Sequence, residues 1–262
     1  MHYSGFSLLW HWAYANRGVR ILAYHGIELE PSNSYSVSLQ NFEIQMMHIK
    51  NHFNVISLSQ YYEFLAGRAT LARNSVIITF DDGFRSFYEL AYPILTKYQL
   101  IATCFLITSK LQSNDYNFMH LKELNEIVQD TNVTLGSHGI SHKSISQLDD
   151  TALKREIVES KYILKKYLHS DVEFFSYPYG TPRDFDGRSL MALSKGRYKL
   201  ACTAINGINS KATHPFKLRR TKIEFGDDFK TFKRILKGAL DIWVVVDYLG
   251  GYFQNKGEVD FS

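Results

Sequence analysis

The stretch Ser75-Val76-Ile77-Ile78-Thr79-Phe80-Asp81-Asp82-Gly83 joins an uncharged, β-branched run to two adjacent carboxylates and a glycine. The apolar run predicts a short strand that is buried on both faces, as the strands of parallel sheets are. Asp81 and Asp82 follow the carboxyl end of this strand, where open α/β sheets and barrels build their sites. Because neighbouring carboxylates repel each other, the pair indicates a bound cation or a shared proton. A simple Asp-Asp-Gly turn is the alternative.

Predicted strands and helices alternate along the rest of the chain. Strands are predicted at 19–24, 55–58, 102–108, 133–136, 172–176, 200–203 and 217–223. Helices are predicted at 38–51, 59–66, 84–98, 120–130, 148–168, 190–195 and 228–240. This order is typical of parallel βαβ units. We therefore predict an α/β fold, a deformed or incomplete (β/α) barrel of about seven parallel strands with outer helices.

Length and composition allow one large globular domain or two small ones. The chain has 262 residues, of which 45% are hydrophobic and 21% charged, enough for a sizeable core. No repeat or linker divides it, so we expect a single domain over 1–262, with a core at 19–225 and a helical extension at 226–262. The net charge of +4 is too weak a field to indicate nucleic-acid binding.

Targeting and membrane-spanning signals are weak at both ends of the chain. Residues 1–20 lack a basic region followed by an unbroken apolar core. The apolar patch at 242–249 is interrupted by Asp247 and is too short to span a bilayer. We expect a cytoplasmic protein, and peripheral contact with the inner face of the cell membrane stays open. The sequence does not indicate an oligomeric state.

Reactive side chains follow several other predicted strands directly. His25 follows the strand at 19–24, and His138 with His142 follows the strand at 133–136. The run Tyr177-Pro178-Tyr179-Gly180 follows the strand at 172–176. Because the carboxyl ends of parallel strands lie on one face, these residues are expected to converge with the aspartate pair.

The spacing of His138 and His142 favours a metal site. Residues four apart lie on one face of a helical turn, close enough to share an ion. With one aspartate they would supply three protein ligands to a catalytic divalent ion, which keeps an open position for water and lowers its pKa to ~7. The second aspartate could act as general base. Two ordinary loop histidines are the alternative, and His48 with His52 repeats the spacing without a carboxylate pair.

The Tyr-Pro-Tyr-Gly run at 177–180 predicts a rigid turn at the same edge of the sheet. Its backbone N–H groups could face an oxyanion that develops during acyl transfer. A tight turn held by aromatic packing would give the same four residues, and both interpretations stay open from this run alone.

Together these residues resemble the polysaccharide deacetylase family, also called the NodB-homology domain or carbohydrate esterase family 4. The similar segments are Thr79-Phe80-Asp81-Asp82-Gly83, Ser137-His138-x-x-Ser141-His142, and Ser176-Tyr177-Pro178-Tyr179-Gly180, the last in the form where Tyr replaces the more usual Arg. The branch that acts on exopolysaccharides has an opening and a closing segment that resemble Leu22-Ala23-Tyr24-His25-Gly26 and Leu218-Arg219-Arg220. The resemblance runs from about residue 20 to residue 225.

The resemblance implies a deformed (β/α) barrel that removes N-acetyl, or sometimes O-acetyl, groups from a carbohydrate. It implies that Asp81 is the general base. It also implies that Asp82, His138 and His142 bind a divalent metal ion, most often zinc, with nickel, cobalt or manganese as further choices. The backbone N–H of Tyr179 would join the ion in holding the oxyanion.

The same resemblance implies supporting roles for further residues. Tyr177, Pro178 and Gly180 would shape the substrate-binding turn. Arg219 or Arg220 would orient Asp81 or bind substrate, unless these arginines are structural or exposed.

The general acid is the least certain assignment in this resemblance. Many family members take it from a histidine in a late Leu-x-His motif, which this chain lacks. The exopolysaccharide branch takes it from the early strand, which corresponds to His25, and a core histidine bonded to backbone is the alternative there. His214, which precedes Pro215, is the competing candidate.

The resulting hypothesis is a metal-dependent hydrolase that removes N-acetyl groups from a GlcNAc-type poly- or oligosaccharide. Metal-bound water would attack the acetamide, Asp81 would take the proton, and His25 would protonate the amine. An O-acetyl carbohydrate esterase and a catalytically degenerate glycan-binding protein are the alternatives. An iron oxygenase with two His and one carboxylate is disfavoured, because the Asp pair lies well upstream on another strand.

Overall fold

A curled parallel sheet organises residues 18–241, the part of the chain described by the computed structural model. The strands are β1 (Arg20–Tyr24), β2 (Gly26–Glu28), β3 (Ser36–Ser38), β4 (Asn54–Val55), β5 (Ser75–Phe80), β6 (Ala102–Leu106), β7 (Val133–Ser137), β8 (Phe174–Ser176), β9 (Leu200–Cys202) and β10 (Thr221–Lys222). The main sheet has the order β10-β1-β5-β6-β7-β8-β9, and β4 pairs with the start of β5. This path of seven parallel strands confirms the predicted deformed barrel.

Helices surround the sheet. They are α1 (Leu39–His52), α2 (Leu58–Leu65), α3 (Tyr92–Tyr98), α4 (Leu121–Ile127), α5 (Asp150–Lys154), α6 (Ser160–Leu168), α7 (Gly187–Lys195) and α8 (Phe229–Leu236). A π-helical segment, Phe87–Ala91, precedes α3, and a second one, Arg155–Glu159, connects α5 to α6. No helix within residues 18–241 combines the length and apolar character needed to cross a membrane.

The central strand β5 is buried along its whole length, as its sequence predicts. Val76, Ile78 and Phe80 pack in the larger core cluster under the outer helices, whereas Ile77 packs in a smaller cluster with residues of the other strands. Because side chains alternate along a strand, Asp81 continues the row of Ile77 and points to the side that the curled sheet encloses. The strand therefore carries the first carboxylate into the barrel.

One short segment bridges the two edges of the curled sheet. Leu218 forms an isolated parallel bridge with Cys202 at the end of β9. Three residues later, Thr221 pairs with Leu22 of β1. The segment between these pairs carries Arg220, which is only 2% exposed, into the interior. We call this segment, residues 218–221, the seam. Because only two short pairings close the sheet there, the barrel is incomplete.

Several predicted element bounds are wrong in the structure. The predicted strand at 55–58 covers only Asn54–Val55, because Ser57 rather than Ser59 caps α2. The predicted strand at 217–223 is regular only at Thr221–Lys222. The predicted helices at 84–98 and 148–168 each contain a π-helical segment, and the ladder of β2 and β3 was not predicted.

The predicted extension at 226–262 is described only as far as residue 241. Within it, α8 ends at Leu236 rather than at residue 240. Residues 1–17 and 242–262, including the apolar patch at 242–249, lie outside the described part of the chain.

Candidate metal centre and active site

Three side chains with metal-ligand chemistry meet at the carboxyl edge of the sheet. Asp82 follows β5, His138 follows β7, and His142 lies four residues further on. The Nε2 atom of each histidine lies 3.4 Å from Oδ1 of Asp82. Within residues 18–241 no other group of three or more His, Cys, Asp or Glu side chains brings its ligand atoms within 4.8 Å of one another.

The two histidines meet through a loop, so the helical-turn argument for their spacing was wrong. Residues 138–142 contain no helical residue. Gly139 and His142 have φ angles of 80° and 56°, in the left-handed region, which turns the chain back on itself. The two ring centroids lie 5.0 Å apart. The spacing drew attention to two residues that the structure does bring together, but through a loop and not through a helical turn.

The tautomer of His138 follows from its hydrogen bond. Its Nδ1 lies 2.8 Å from the carbonyl oxygen of Ser176, which can only accept, so Nδ1 carries the proton. In the neutral ring the lone pair of Nε2 then faces Oδ1 of Asp82, and that oxygen is buried without a hydrogen-bond partner. Two acceptor atoms that face each other in a buried site are unfavourable unless a cation or a proton lies between them.

The spacing of these atoms fits a tetrahedral ion. Two ligand atoms ~2.0–2.1 Å from a tetrahedral zinc ion lie ~3.3–3.4 Å from each other. Both histidine nitrogens are 3.4 Å from the Asp82 oxygen. One carboxylate oxygen and two imidazole nitrogens are also a donor set that catalytic zinc sites use. Asp82, His138 and His142 therefore fit a divalent ion in both distance and chemistry.

The electrostatic environment of this site favours neutral histidines beside a metal cation. Burial lowers the pKa of His138 to about 4 and that of His142 to about 3, so both rings are neutral at pH 7 and ready to act as ligands. Burial, followed by the neighbouring Asp81 carboxylate, raises the pKa of Asp82 above its usual value. A cation would offset both effects on Asp82.

The second carboxylate of the pair is held by Arg220. The guanidinium donates from Nη1 to Oδ1 of Asp81 at 2.8 Å and from Nη2 to Oδ2 at 2.6 Å, a bidentate pair. Although burial acts to raise the pKa of Asp81, the attraction of Arg220, with His138 next, outweighs it and holds that pKa well below its usual range. Asp81 is therefore a fixed carboxylate that remains ionised.

Three further acceptors complete the hydrogen bonding of Arg220. Its Nε donates to the Thr203 carbonyl at 2.8 Å, Nη1 donates to the Thr79 hydroxyl at 3.2 Å, and Nη2 donates to the Ser176 hydroxyl at 2.9 Å. Ser176 also donates to Oδ2 of Asp81 at 3.3 Å. The sequence did not single out Thr79 or Ser176 for this purpose, although both lie in the quoted motifs.

A family model for polysaccharide deacetylases matches residues 68–200, just over half of the chain. The chain belongs to this family. The matched residues include the Asp pair, both histidines of the candidate metal centre and the turn at 177–180. The resemblance drawn from the motifs is thereby confirmed.

Two relatives share 27% and 30% sequence identity with this chain. YxkH of Bacillus subtilis (strain 168) is 27% identical over 207 residues, 79% of this chain and 71% of YxkH. The poly-beta-1,6-N-acetyl-D-glucosamine N-deacetylase of Staphylococcus aureus (strain MRSA252) is 30% identical over 164 residues. That match covers 58% of this chain and only 56% of the Staphylococcus protein.

Solved structures of deacetylases share the fold. The Streptococcus pyogenes deacetylase PplD, solved in complex with acetate, has a TM-score of 0.77 and 27% identity, covering 84% of this chain and 99% of PplD. IcaB from Ammonifex degensii has a TM-score of 0.73 over 87% of this chain and 97% of IcaB, and at 22% identity this likeness speaks for the fold alone.

In this polysaccharide deacetylase family member, the two candidates for the general acid lie in different surroundings. His25 is half-buried after β1. Burial lowers its pKa to about 4, and the charges of Asp81, Arg220 and His142 lie within electrostatic reach of the ring, which places it beside the site. His214 lies exposed in a turn, where its Nδ1 accepts the Phe216 N–H at 3.1 Å. His25 therefore converges with the Asp pair, whereas His214 belongs to a local turn.

One residue of the turn at 177–180, Tyr179, lies beside the candidate metal centre. Tyr179 is 45% exposed, and its ring centroid lies 4.9 Å from that of His142. Tyr177 is buried, stacks on Phe185 and donates its hydroxyl proton to the Phe216 carbonyl at 3.2 Å, so it braces the turn from inside. Pro178 and Gly180 are buried beneath the turn, where a Cβ at position 180 would lie 2.6 Å from the Ala204 nitrogen.

The two neighbouring arginines of the closing segment take different positions. Arg220 holds Asp81, as described above. Arg219 is half-buried, and its side chain runs along Gly207, where a Cβ would lie 2.9 Å from the Arg219 Cδ. Its backbone N–H donates to the Asn209 side chain at 2.8 Å. Only one of the two predicted arginines thus reaches the aspartate pair.

Three residues at this site have a strained backbone. Within residues 18–241, seven non-glycine residues have a φ angle in the left-handed region, and three of them are Asp82, His142 and Tyr179. Such conformations are unfavourable for residues with a Cβ and persist where the surroundings enforce them. These three residues come from three separate strand ends, so the strain marks the place where the candidate site is assembled.

Proposed function

We propose that this protein is a metal-dependent hydrolase that removes N-acetyl groups from a poly- or oligosaccharide of N-acetylglucosamine type. The observation that carries the proposal is the unpartnered, buried Oδ1 atom of Asp82, which the Nε2 atoms of His138 and His142 approach to 3.4 Å. A divalent cation would satisfy all three atoms, and Asp81 lies beside it as an ionised carboxylate.

Asp82, His138 and His142 would hold the ion, for which zinc is the expected choice. When bound, such an ion would act as a Lewis acid on the acetyl carbonyl and make water more acidic at neutral pH. The low pKa values of both histidines support this assignment, because neutral imidazole is the form that binds a metal.

Asp81 would accept the proton from the attacking water. Its bidentate bond with Arg220 fixes the carboxylate, which favours catalysis through position. The same bond lowers its pKa, which makes Asp81 a weak base that passes a proton on readily.

His25 would deliver a proton to the departing amine. Burial lowers the pKa of His25 to about 4, although the Asp81 carboxylate acts in the opposite direction, so the ring is neutral at pH 7 before the reaction. We therefore expect the ring to gain its proton during turnover, through Asp81, and then to give it up. The backbone N–H of Tyr179 would stabilise the oxyanion of the tetrahedral intermediate.

The substrate class is supported by the relatives. The Staphylococcus aureus proteins that match at 30% identity are named for the deacetylation of poly-beta-1,6-N-acetyl-D-glucosamine. We extend that substrate to this chain as part of the proposal, because the metal centre, the Asp pair and the turn at 177–180 all lie within the family match at residues 68–200.

The test is acetate release from defined oligosaccharides. Protein stripped of metal and reloaded with zinc is incubated with β-1,6-linked N-acetylglucosamine oligomers and with matched sugars that carry O-acetyl groups. We expect acetate and free amine in equal amounts from the first set. Acetate from the O-acetylated sugars alone would identify an esterase instead, and no acetate from either would overturn the proposal.

The assignment of His25 has its own test. His25→Ala should lower turnover while one ion stays bound, whereas His214→Ala, in the exposed turn, should leave turnover unchanged. The reverse result would move the acid role to His214.

A further inference from the structure

The loop that carries the metal-binding histidines is fastened to a buried glutamate. Glu156 lies in the π-helical segment Arg155–Glu159 and is only 7% exposed. Its Oε2 accepts the backbone N–H groups of Ile140 at 2.6 Å and Ser141 at 3.0 Å. Its Oε1 accepts the Ser141 hydroxyl at 2.5 Å. One carboxylate thus holds both residues that lie directly before His142.

Gly139 makes room for this carboxylate. A Cβ at position 139 would lie 2.8 Å from Oε2 of Glu156, well inside van der Waals contact. The glycine also has a φ of 80°, a conformation that residues with a Cβ rarely adopt. The loop therefore needs glycine at this position both for its turn and for the approach of Glu156.

A second connection joins the loop to the same helical segment. The Gly139 N–H donates to the Ser137 hydroxyl at 3.2 Å, which in turn donates to the Ser160 hydroxyl at 2.8 Å. Ser160 donates to the Ile157 carbonyl at 3.1 Å, inside the π-helical segment. The N–H groups at 140 and 141 are therefore held by Glu156 directly, and the N–H group at 139 is connected to the segment through Ser137 and Ser160.

The opposite side of the loop is fixed by backbone. The N–H groups of Thr108 and Ser109 donate to the carbonyl oxygens of Gly139 and Ile140 at 3.1 and 3.0 Å. With both sides bonded, the loop has little freedom to move His142 relative to His138. π-helical segments inside helices are frequent at functional sites, because the extra residue shifts the side chains that follow it.

We propose that Glu156 is a positioning residue of the metal centre, a role that rests on the proposed function. It touches neither the ion nor the substrate. It holds the 139–141 loop in the conformation that brings His142 Nε2 to the same distance from Asp82 as His138 Nε2. Without it, two backbone donors and one hydroxyl lose their shared acceptor, and the loop is free to take other conformations.

The test compares three variants. Glu156→Ala removes the acceptor, and Glu156→Gln keeps an amide oxygen for both N–H groups and an NH₂ that can donate to the Ser141 hydroxyl. The matched control is Glu159→Ala, in the same helical segment, where the glutamate is exposed and pairs with Arg155 at 3.3 Å. The readouts are zinc affinity, by competition with a chromophoric chelator, and the visible absorption spectrum of the cobalt-substituted protein.

We expect Glu156→Ala to bind zinc about 10–100-fold more weakly, as loss of outer-shell partners does in other metal sites, and to show an altered cobalt spectrum. Glu156→Gln should recover most of the affinity, and Glu159→Ala should match wild type. Wild-type affinity and spectrum in a folded Glu156→Ala protein would overturn the positioning role and leave the proposed function intact.

A readout without metal separates the two proposals. In the metal-free protein, hydrogen exchange at the Ile140 and Ser141 amides should be faster in Glu156→Ala than in wild type and unchanged in Glu159→Ala. Faster exchange supports the anchoring step independently of any ion. If wild-type protein binds no zinc, the proposed function fails, and the role of Glu156 at a metal centre fails with it.

Discussion

Two histidine pairs in this molecule share the spacing His-x-x-x-His but differ in backbone conformation and in the charges that surround them. His48 and His52 lie on α1, near its carboxyl end, with ring centroids 4.5 Å apart. His138 and His142 lie in an irregular loop, with ring centroids 5.0 Å apart. The helical pair has the geometry that the spacing predicts, yet only the loop pair has a carboxylate oxygen within 4.8 Å of both rings among residues 18–241.

The difference teaches that spacing alone does not make a metal site. On α1 the neighbours of His48 are His52, the aromatic ring of Phe229 and, within electrostatic reach, Lys233 and Lys237. Such cationic surroundings repel a metal ion. At the sheet edge, the carboxylates of Asp81 and Asp82 follow a different strand, and their negative charge would attract a metal ion. The convergence of strand ends, rather than the histidine spacing, selects the site.

The largest expected effect is the loss of zinc binding when the loop pair is removed, compared with removal of the helical pair. The His138→Ala, His142→Ala double variant should bind no zinc, because one carboxylate is left of three ligands. The matched His48→Ala, His52→Ala variant should bind about one ion with wild-type affinity. Metal analysis after dialysis against zinc, with circular dichroism to verify folding, measures both. Equal loss of zinc in the two variants would erase the distinction between the pairs.

The next largest effect is expected at Asp81, the second carboxylate of the aspartate pair beside the loop histidines. Asp81→Asn should lower turnover about 10²–10⁴-fold, the usual contribution of a general base, while one zinc ion still binds. Acetate release under saturating substrate and zinc stoichiometry are the two measurements. Near-normal acetate release from the variant would refute the role of Asp81, and loss of zinc would show that it is needed as a ligand instead.

A smaller effect is expected from the arginine that holds Asp81. Arg220→Lys keeps the charge and loses the bidentate geometry, so turnover should fall up to about 100-fold through misplacement of the carboxylate. Stability should fall as well, because the buried pair is 2% and 4% exposed and its remaining contacts are poorer. Arg219→Lys is the control, since the described hydrogen bonds of Arg219 use its backbone. Similar losses in both variants would contradict the selective role of Arg220.

The features that sequence predicts well here are those that depend on strand ends. The run from Val76 to Phe80 is uncharged and β-branched at four of its five positions, so its strand is determined locally. Parallel topology then brings the residues that follow each strand to one edge. The aspartate pair, His138 and His142 could be brought together on these grounds before any coordinates were known, whereas the choice of Asp82 as the ligand came from the family resemblance.

The features that sequence does not predict depend on tertiary contacts. The choice between Arg219 and Arg220 is made by the seam, where two bridges at Leu218 and Thr221 decide which side chain turns inward. The loop at 138–142 is shaped by Glu156 and by the backbone at 108–109. A single glutamate in an amphipathic helix gives no signal of that role, because a π-helical shift of one residue is invisible in the hydrophobic pattern.

The smallest expected effect belongs to the helical pair itself. Burial, followed by the positive charges of His52, Lys233 and Lys237, lowers the pKa of His48. The unfolded chain, with a histidine pKa near ~6.5, therefore binds more protons than the folded protein in the window just below that value. The stability contributed by a neutral His48 is present above pH ~6.5 and is lost as the pH falls below it.

His48→Gln should remove this loss, so its free energy of unfolding should decline less than that of wild type between pH 7.5 and pH 5.5. The difference should be on the order of a few tenths of a kcal/mol, because the ring is partly exposed and the neighbouring charges are screened. Urea unfolding of metal-free protein at both pH values measures it. A steeper decline in His48→Gln than in wild type would mean that the surroundings of this pair stabilise a positive charge, and the contrast with the sheet-edge pair would then rest on the missing carboxylate alone.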